Sequence, residues 1–267
     1  MASYYMGLSL LSNKQQKAVA HRKLLHTEAR RILSLLNGCP LDKPDIAKEE
    51  NGRPFFRDRR ADFNISHSGN MAAVSLVKPF TGDEGIHDSA MMIRTGCDIE
   101  LVRDRANVRK VAEKFFSPAE RDYVFGRDQA LNETRDESLG KSRDLNQYDM
   151  ARFFHIWTLK ECFLKLKGLS VFDMAKTPPF IYTDSGGRSQ FAFCAPSPVS
   201  FSLYELSGPS ERYVLASAIE GAGQLPLGLQ LRLQPEIRWF SESSLPCRSI
   251  VEIKAAPSPP ETVSAKM

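Results

Sequence analysis

A chain of 267 residues, 42% hydrophobic and 25% charged, is long enough to bury a full core and has the composition of a globular protein, not of a disordered or fibrous one. No apolar run approaches the roughly 20 residues that cross a bilayer, and the N-terminus lacks the basic lead of a secretory signal, so a cytoplasmic protein is expected. Cys39, Cys97, Cys162, Cys194 and Cys247 are odd in number, scattered and without CxxC spacing, which argues against a disulfide framework or a zinc site. The net charge of +4 suits an anionic cofactor, an acidic protein or nucleic acid equally well.

In chain order, the first element expected is an amphipathic helix over residues 13–36. Ala18, Leu25, Ala29, Ile32 and Leu36 recur at helical spacing, and Asn37, Gly38 and Pro40 stop it. Its other face is basic, with Lys14, Lys17, Arg22, Lys23, Arg30 and Arg31 against Glu28. Gly52, Arg53 and Pro54 form a turn, and strands are expected over 62–66 and 71–77. A polar loop over 78–94 leads to a strand carrying Asp98. Val108, Val111, Ala112 and Phe115 then share one helical face, and Ser117, Pro118 and Glu120 read as the N-cap, N1 and N3 of the next helix. Residues 127–147 are charged and poor in apolar side chains, so a mobile loop is expected before a helix around Trp157. Short β-type segments follow Pro179, and the tail 255–267 is expected to be disordered.

The most informative pattern joins Asp98 and Glu100 to Glu161 and Lys165. Alternate residues of a strand share a face, so Asp98 and Glu100 project together while Cys97, Ile99 and Leu101 pack behind them. Residues four apart on a helix share a face, which aligns Glu161 with Lys165. Two strand carboxylates, a helix carboxylate and a lysine can hold Mg²⁺ and the phosphate it neutralises. From spacing alone, a solvated strand face and a surface Glu–Lys pair are the favoured reading.

Three blocks carry a family resemblance: Gly52, Arg53 and Pro54 followed by residues 63–69 with Ser66, His67 and Ser68; residues 96–100; and residues 157–165, running on to Ser170. In this order, with residues 115–120 between the second and third, the chain resembles the Sfp-type 4′-phosphopantetheinyl transferases over residues 20–170. The resemblance implies an α+β fold of two similar halves in pseudo-twofold arrangement within one chain, the active site between them. The expected division is residues 1–100, binding coenzyme A, and 101–254, carrying the metal and the catalytic helix. It implies transfer of 4′-phosphopantetheine from coenzyme A to a serine of an acyl or peptidyl carrier protein, by a monomer, with no nucleic-acid or membrane partner.

The resemblance also assigns residues. Asp98, Glu100 and Glu161 would bind Mg²⁺, with Glu161 also the base. Lys165, and after it Lys160, would meet the diphosphate. Ser66 and His67 would bind coenzyme A phosphates, as would Arg53 with Pro54 in the turn where the family more often has lysine, and Arg22 and Lys23 would reach the 3′-phosphate. His21, His26 and His155 read as structural histidines, Glu120 as a helix cap, and Trp157, Phe153 and Phe163 as core. Only about a dozen residues precede the basic helix, where family members carry a longer region with a first strand, so a shortened N-terminal half is expected. A coenzyme A-binding protein without transferase activity and a basic nucleic-acid-binding module are the alternatives from other classes.

Overall fold

The computed structural model describes residues 3–11, 18–38, 46–59, 61–78, 93–132, 147–185, 188–193, 199–208, 210–221, 235–241 and 246–253. Within them lie β1 (Ser3–Leu10), α1 (Ala18–Asn37), β2 (Ile46–Lys48), β3 (Pro54–Phe56), β4 (Asp62–Ser68), β5 (Met71–Lys78) and β6 (Arg94–Leu101). There follow α2 (Val108–Phe115), α3 (Pro118–Asn132), α4 (Gln147–Lys167), a 3-10 turn at Val171–Lys176, β7 (Phe180–Ser185), β8 (Arg188–Phe193), β9 (Val199–Ser207), β10 (Arg212–Glu220), β11 (Glu236–Trp239) and β12 (Cys247–Ile253). The fold is mixed α+β.

Two four-stranded sheets organise these elements, one in the order β11-β1-β5-β4 and the other β12-β9-β10-β6; β2-β3 and β7-β8 are separate hairpins. Alternation along each strand gives each sheet two apolar faces to bury. Leu25, Ala29, Ile32 and Leu33 of α1 cover one face of the first sheet at Phe63, Ala72, Val74 and Leu76. Its other face, with Met6, Leu8, Met71 and Ala73, meets Cys97, Ile99, Tyr204 and Leu215 of the second sheet. α4 covers the far side of that second sheet, Phe153, Ile156 and Cys162 packing with Phe201, Val214 and Ala216. Side chains of this size each contribute about 1.5–3 kcal/mol on full burial, which makes the helix–sheet faces the main source of stability.

Where the sheets meet edge to edge, β4 and β6 are joined by side chains. Asp62 Oδ2 accepts the Thr95 N–H at 2.7 Å, Asn64 Oδ1 the Cys97 N–H at 3.4 Å, Ser66 Oγ the Ile99 N–H at 3.3 Å and Ser68 Oγ the Leu101 N–H at 3.1 Å. Alternate β4 side chains thus supply the acceptors that a neighbouring backbone would provide in a continuous sheet. Buried N–H groups must be paired, and this polar seam pairs them at the strand edge that carries the carboxylates.

Several expectations change. A strand does precede the basic helix: β1 pairs with β5 along its whole length and lies in the interior of its sheet. The alternation of Tyr4, Met6, Leu8 and Leu10 was the signal for it. α1 starts at Ala18, and residues 13–17 lie outside the described residues. The segment expected as a loop from 127 continues α3 to Asn132, while 133–146, most of the 78–94 loop and the 255–267 tail lie outside the described residues. Finally, β6 pairs with β10 in the second sheet although it precedes residue 101 in large part, and β11 joins the first sheet from the far end of the chain.

Candidate active site

Asp98 and Glu100 project from the α4 side of β6, with Cys97 and Ile99 fully buried on its other face. α4 can lie close to this strand because residue 96 is glycine. A Cβ there would stand 2.6 Å from the Cys162 carbonyl oxygen and 2.9 Å from Leu166 Cβ. This approach brings Glu161 and Lys165 to the acids of β6. The Lys165 ammonium donates to Asp98 Oδ1 at 2.6 Å and to Ser66 Oγ at 2.8 Å. Ser66 in turn donates to Asp98 Oδ1 at 2.8 Å, and Ser68 donates to Glu100 Oε2 at 2.9 Å.

The charges are not internally balanced. Burial pushes the Asp98 carboxyl up from its ordinary range against the pull of Lys165, and burial together with Asp98 pushes Glu100 up. Glu161 rises to about 7 through burial and the repulsion of Asp98 and Glu100, opposed by Lys165 and Arg105. Burial alone would discharge Lys165, but Asp98 outweighs it and holds the ammonium charged. Lys165, with Arg105 at Glu161, therefore answers three acids, and Asp98 Oδ2 is buried with no hydrogen-bond partner. An orphaned carboxylate oxygen among mutually repelling acids is the donor set a hard divalent cation fits. Among the described residues, no three His, Cys, Asp or Glu side chains converge closely enough to hold a metal as they stand.

A second cluster borders the first. His67 on β4 faces α1 and meets His26 edge-on, with ring centroids 4.7 Å apart and Nε2 atoms at 3.3 Å. Burial, then His26, Lys165 and Arg22, push His67 down to about 4, so its ring is neutral at neutral pH. His21 Nε2 is 2.9 Å from the Gly69 carbonyl oxygen. Arg22 and Lys23 are exposed on α1, Arg22 near enough to His67 to act on its charge. A cavity of about 470 Å³ opens beside the end of β6, lined by Val102, Arg103, Asp104, Met150 and Arg212 among others. Arg105, in the connection after β6, lies 4.6 Å over the Trp157 ring.

Some expected residues are engaged elsewhere. Arg53 is buried, not presented to a phosphate: it makes a bidentate pair with Asp62 at 2.9 and 2.6 Å and donates to the carbonyls of Thr95 at 3.0 Å and Lys165 at 3.3 Å. Four of its N–H groups are occupied, and the permanently charged fork stitches the turn to β4, β6 and the end of α4. Pro54 opens β3 opposite Lys48. Lys160 is buried and engaged on its own side of the helix, donating to Thr177 Oγ1 at 2.8 Å and lying 3.2 Å from the buried Glu120. Glu120 is the expected cap, accepting the Ser117 N–H at 2.7 Å, and it also accepts the Phe180 N–H at 2.9 Å. The contacts of Ser68 with Glu100 and of His26 with His67 have no mark in the sequence, because the partners lie on other elements and no local spacing joins them.

Similarity to known proteins follows the same region. The model of the 4′-phosphopantetheinyl transferase superfamily matches residues 94–218, the span from β6 to β10 that holds all three acids and Lys165. The chain is 30% identical over 214 residues to the 4′-phosphopantetheinyl transferase HetI of Nostoc sp., covering 77% of this chain and 74% of that protein. It is 30% identical over 166 residues to the 4′-phosphopantetheinyl transferase AcpT of Escherichia coli, covering 58% of this chain and 68% of AcpT. To a putative 4′-phosphopantetheinyl transferase of Haemophilus influenzae it is 27% identical over 188 residues, 68% of each chain. The protein is an enzyme of the transferase class. It belongs to the 4′-phosphopantetheinyl transferase superfamily.

Proposed function

We propose that the protein transfers 4′-phosphopantetheine from coenzyme A to a serine of an acyl or peptidyl carrier protein, releasing adenosine 3′,5′-bisphosphate. The observation that carries this reading is the excess of acid around Asp98 and Glu161, with one ammonium, Lys165, beside an unpartnered carboxylate oxygen. Asp98, Glu100 and Glu161 would hold Mg²⁺, which when bound supplies positive charge to the substrate diphosphate. Glu161, on the face of α4 turned to these acids, would take the proton of the attacking serine hydroxyl directly or through water. Lys165, released from Asp98, has the reach to donate to a non-bridging phosphate oxygen. Neutral His67 can donate one ring N–H to a phosphate, with Arg22 adding charge at the same end. Attack on the pantetheine-side phosphorus is in line and uses no covalent enzyme intermediate. The cavity beside Val102 and Arg103 is the carrier's approach in this reading.

The two strand–helix–hairpin units support a pseudo-twofold arrangement of halves, and we take the working form to be a cytoplasmic monomer. Among the described residues, no helix is long and apolar enough to cross a membrane. Incubation of an apo carrier protein with coenzyme A and Mg²⁺, followed by intact mass, tests the reading. One added 4′-phosphopantetheine is expected. Calorimetric binding of coenzyme A without any mass change in the carrier would replace it with a coenzyme A-binding role.

A further inference from the structure

The carboxylates of β6 are aimed from the other sheet. Ser66 Oγ accepts the Ile99 N–H at 3.3 Å and donates to Asp98 Oδ1 at 2.8 Å. Two residues on, Ser68 Oγ accepts the Leu101 N–H at 3.1 Å and donates to Glu100 Oε2 at 2.9 Å. Each serine thus takes the backbone hydrogen of one residue and gives its own to the acid just before it. A hydroxyl has one hydrogen and two lone pairs. Ser66 uses all three, since Lys165 occupies the second lone pair at 2.8 Å. Its hydrogen is not available to a phosphate while it serves Asp98, which removes the phosphate-binding role expected for Ser66. The anchored oxygen of Asp98 carries every hydrogen bond, and Oδ2 is left buried and bare.

We propose that Ser66 and Ser68 are positioning residues for metal binding, each fixing one oxygen of its carboxylate so that the acid is pre-set to receive a divalent cation. The proposal rests on the metal reading above. It makes cation affinity depend on the seam between the two sheets, because the serines stand on β4 and the acids on β6. Loss of hydrogen bonds that orient a metal ligand typically weakens metal binding about 10–100-fold.

The experiment reads Mn²⁺ binding by electron paramagnetic resonance on the free protein, without coenzyme A, and separately measures coenzyme A binding in EDTA. Ser66→Ala and Ser68→Ala should each weaken Mn²⁺ on the order of 10-fold while coenzyme A binding in EDTA stays as in the wild type. Ser68→Thr, which keeps a hydroxyl on a strand-compatible side chain, should restore Mn²⁺ affinity; this guards against a loss due only to misfolding. Wild-type Mn²⁺ affinity in folded Ser66→Ala and Ser68→Ala, with Asp98→Ala abolishing binding, would overturn the positioning role and leave the metal reading intact. Unchanged Mn²⁺ binding in Asp98→Ala would overturn both. Weakened coenzyme A binding in EDTA by Ser66→Ala, with normal Mn²⁺ affinity, would return Ser66 to a phosphate contact.

Discussion

The first sheet with α1 and the second sheet with α4 are built on the same plan and end in opposite chemistry. In each, a strand carries a glycine under a helix, and a hairpin follows whose second strand pairs back with the first: β1, α1, β4, β5 in one and β6, α4, β9, β10 in the other. Gly7 lies under Ile32 and Leu36, and Gly96 under Cys162 and Leu166. Counting from those glycines, Ser9 takes the place of Asp98, Arg31 that of Glu161 and Leu35 that of Lys165. In the first region Arg31 is tied to Glu28 at 2.8 and 2.6 Å and to the Phe240 carbonyl at 2.8 Å, so the charge is answered locally. In the second, three acids face Lys165 and, at Glu161, Arg105. The comparison teaches that the frame supplies only the close approach of strand and helix, while a site arises where the charges brought together are left uncancelled.

The largest effect expected to sharpen this contrast is on catalysis. Glu161→Gln should lower kcat about 10²–10⁴-fold, and Asp98→Ala should abolish transfer, both with unchanged circular dichroism. Transfer at near-wild-type rates at saturating Mg²⁺ would break the assignment of chemistry to the second region. Next comes Arg53, which reads as structural despite its motif. Arg53→Ala should cost about 3–5 kcal/mol in urea unfolding, as expected for breaking a buried pair, while the ratio of coenzyme A to dephospho-coenzyme A affinity stays fixed. A change in that ratio with little loss of stability would restore Arg53 to the phosphate site.

The paired glycines give a direct comparison of the two frames. Gly96→Ala should destabilise by about 1–3 kcal/mol or more, because its Cβ meets a helix carbonyl that cannot turn aside. Gly7→Ala drives its Cβ into overlap with Cγ2 of the buried Ile32, whose β-branched side chain has little freedom to turn within a helix, and should cost a comparable amount. Chemical denaturation of both variants checks this, and wild-type stability in either would show that its helix does not approach its strand as described.

A smaller effect concerns pH. Glu161 binds its proton more tightly folded than unfolded, so the metal-free protein should lose stability as pH rises from the ordinary glutamate range toward about 7, with Asp98 and Glu100 adding in the same direction. The expected loss is on the order of 1–2 kcal/mol after allowing for solvent screening. Melting in EDTA across this range should show the slope, and Glu161→Gln should flatten part of it. Stability that rises through the same window would mean that the acids are already compensated, as they are around Arg31.

Local spacing made the α4 pair and the Asp98–Glu100 face legible, because periods of two and four depend only on the backbone of one element. The same reasoning extends to the capping box at Ser117 and Glu120, which closes as its spacing requires. What stayed hidden depends on contacts between elements distant in sequence. Nothing near Arg53 announces that Asp62 and two carbonyls will occupy it, and nothing near Ser68 announces Glu100. His26 joins His67 only because α1 lies along β4. β1 was legible in the regular alternation of Tyr4, Met6, Leu8 and Leu10.

Strand β11 carries a consequence for synthesis. Tyr5 pairs with Glu236, the Phe240 N–H donates to the Leu8 carbonyl at 2.8 Å, and the Leu10 N–H to Ser241 Oγ at 3.1 Å. At about 5–20 residues per second, tens of seconds on the ribosome separate the two partners. Throughout that interval β1 can pair with β5 on one side only, and its other edge is an adhesive strand open to solvent. A message interrupted before residue 235 would yield a chain with the family's catalytic span fully translated and one sheet edge permanently open. Such a product is expected to enter aggregates or be degraded, so a closed edge on β1 depends on translation through β11.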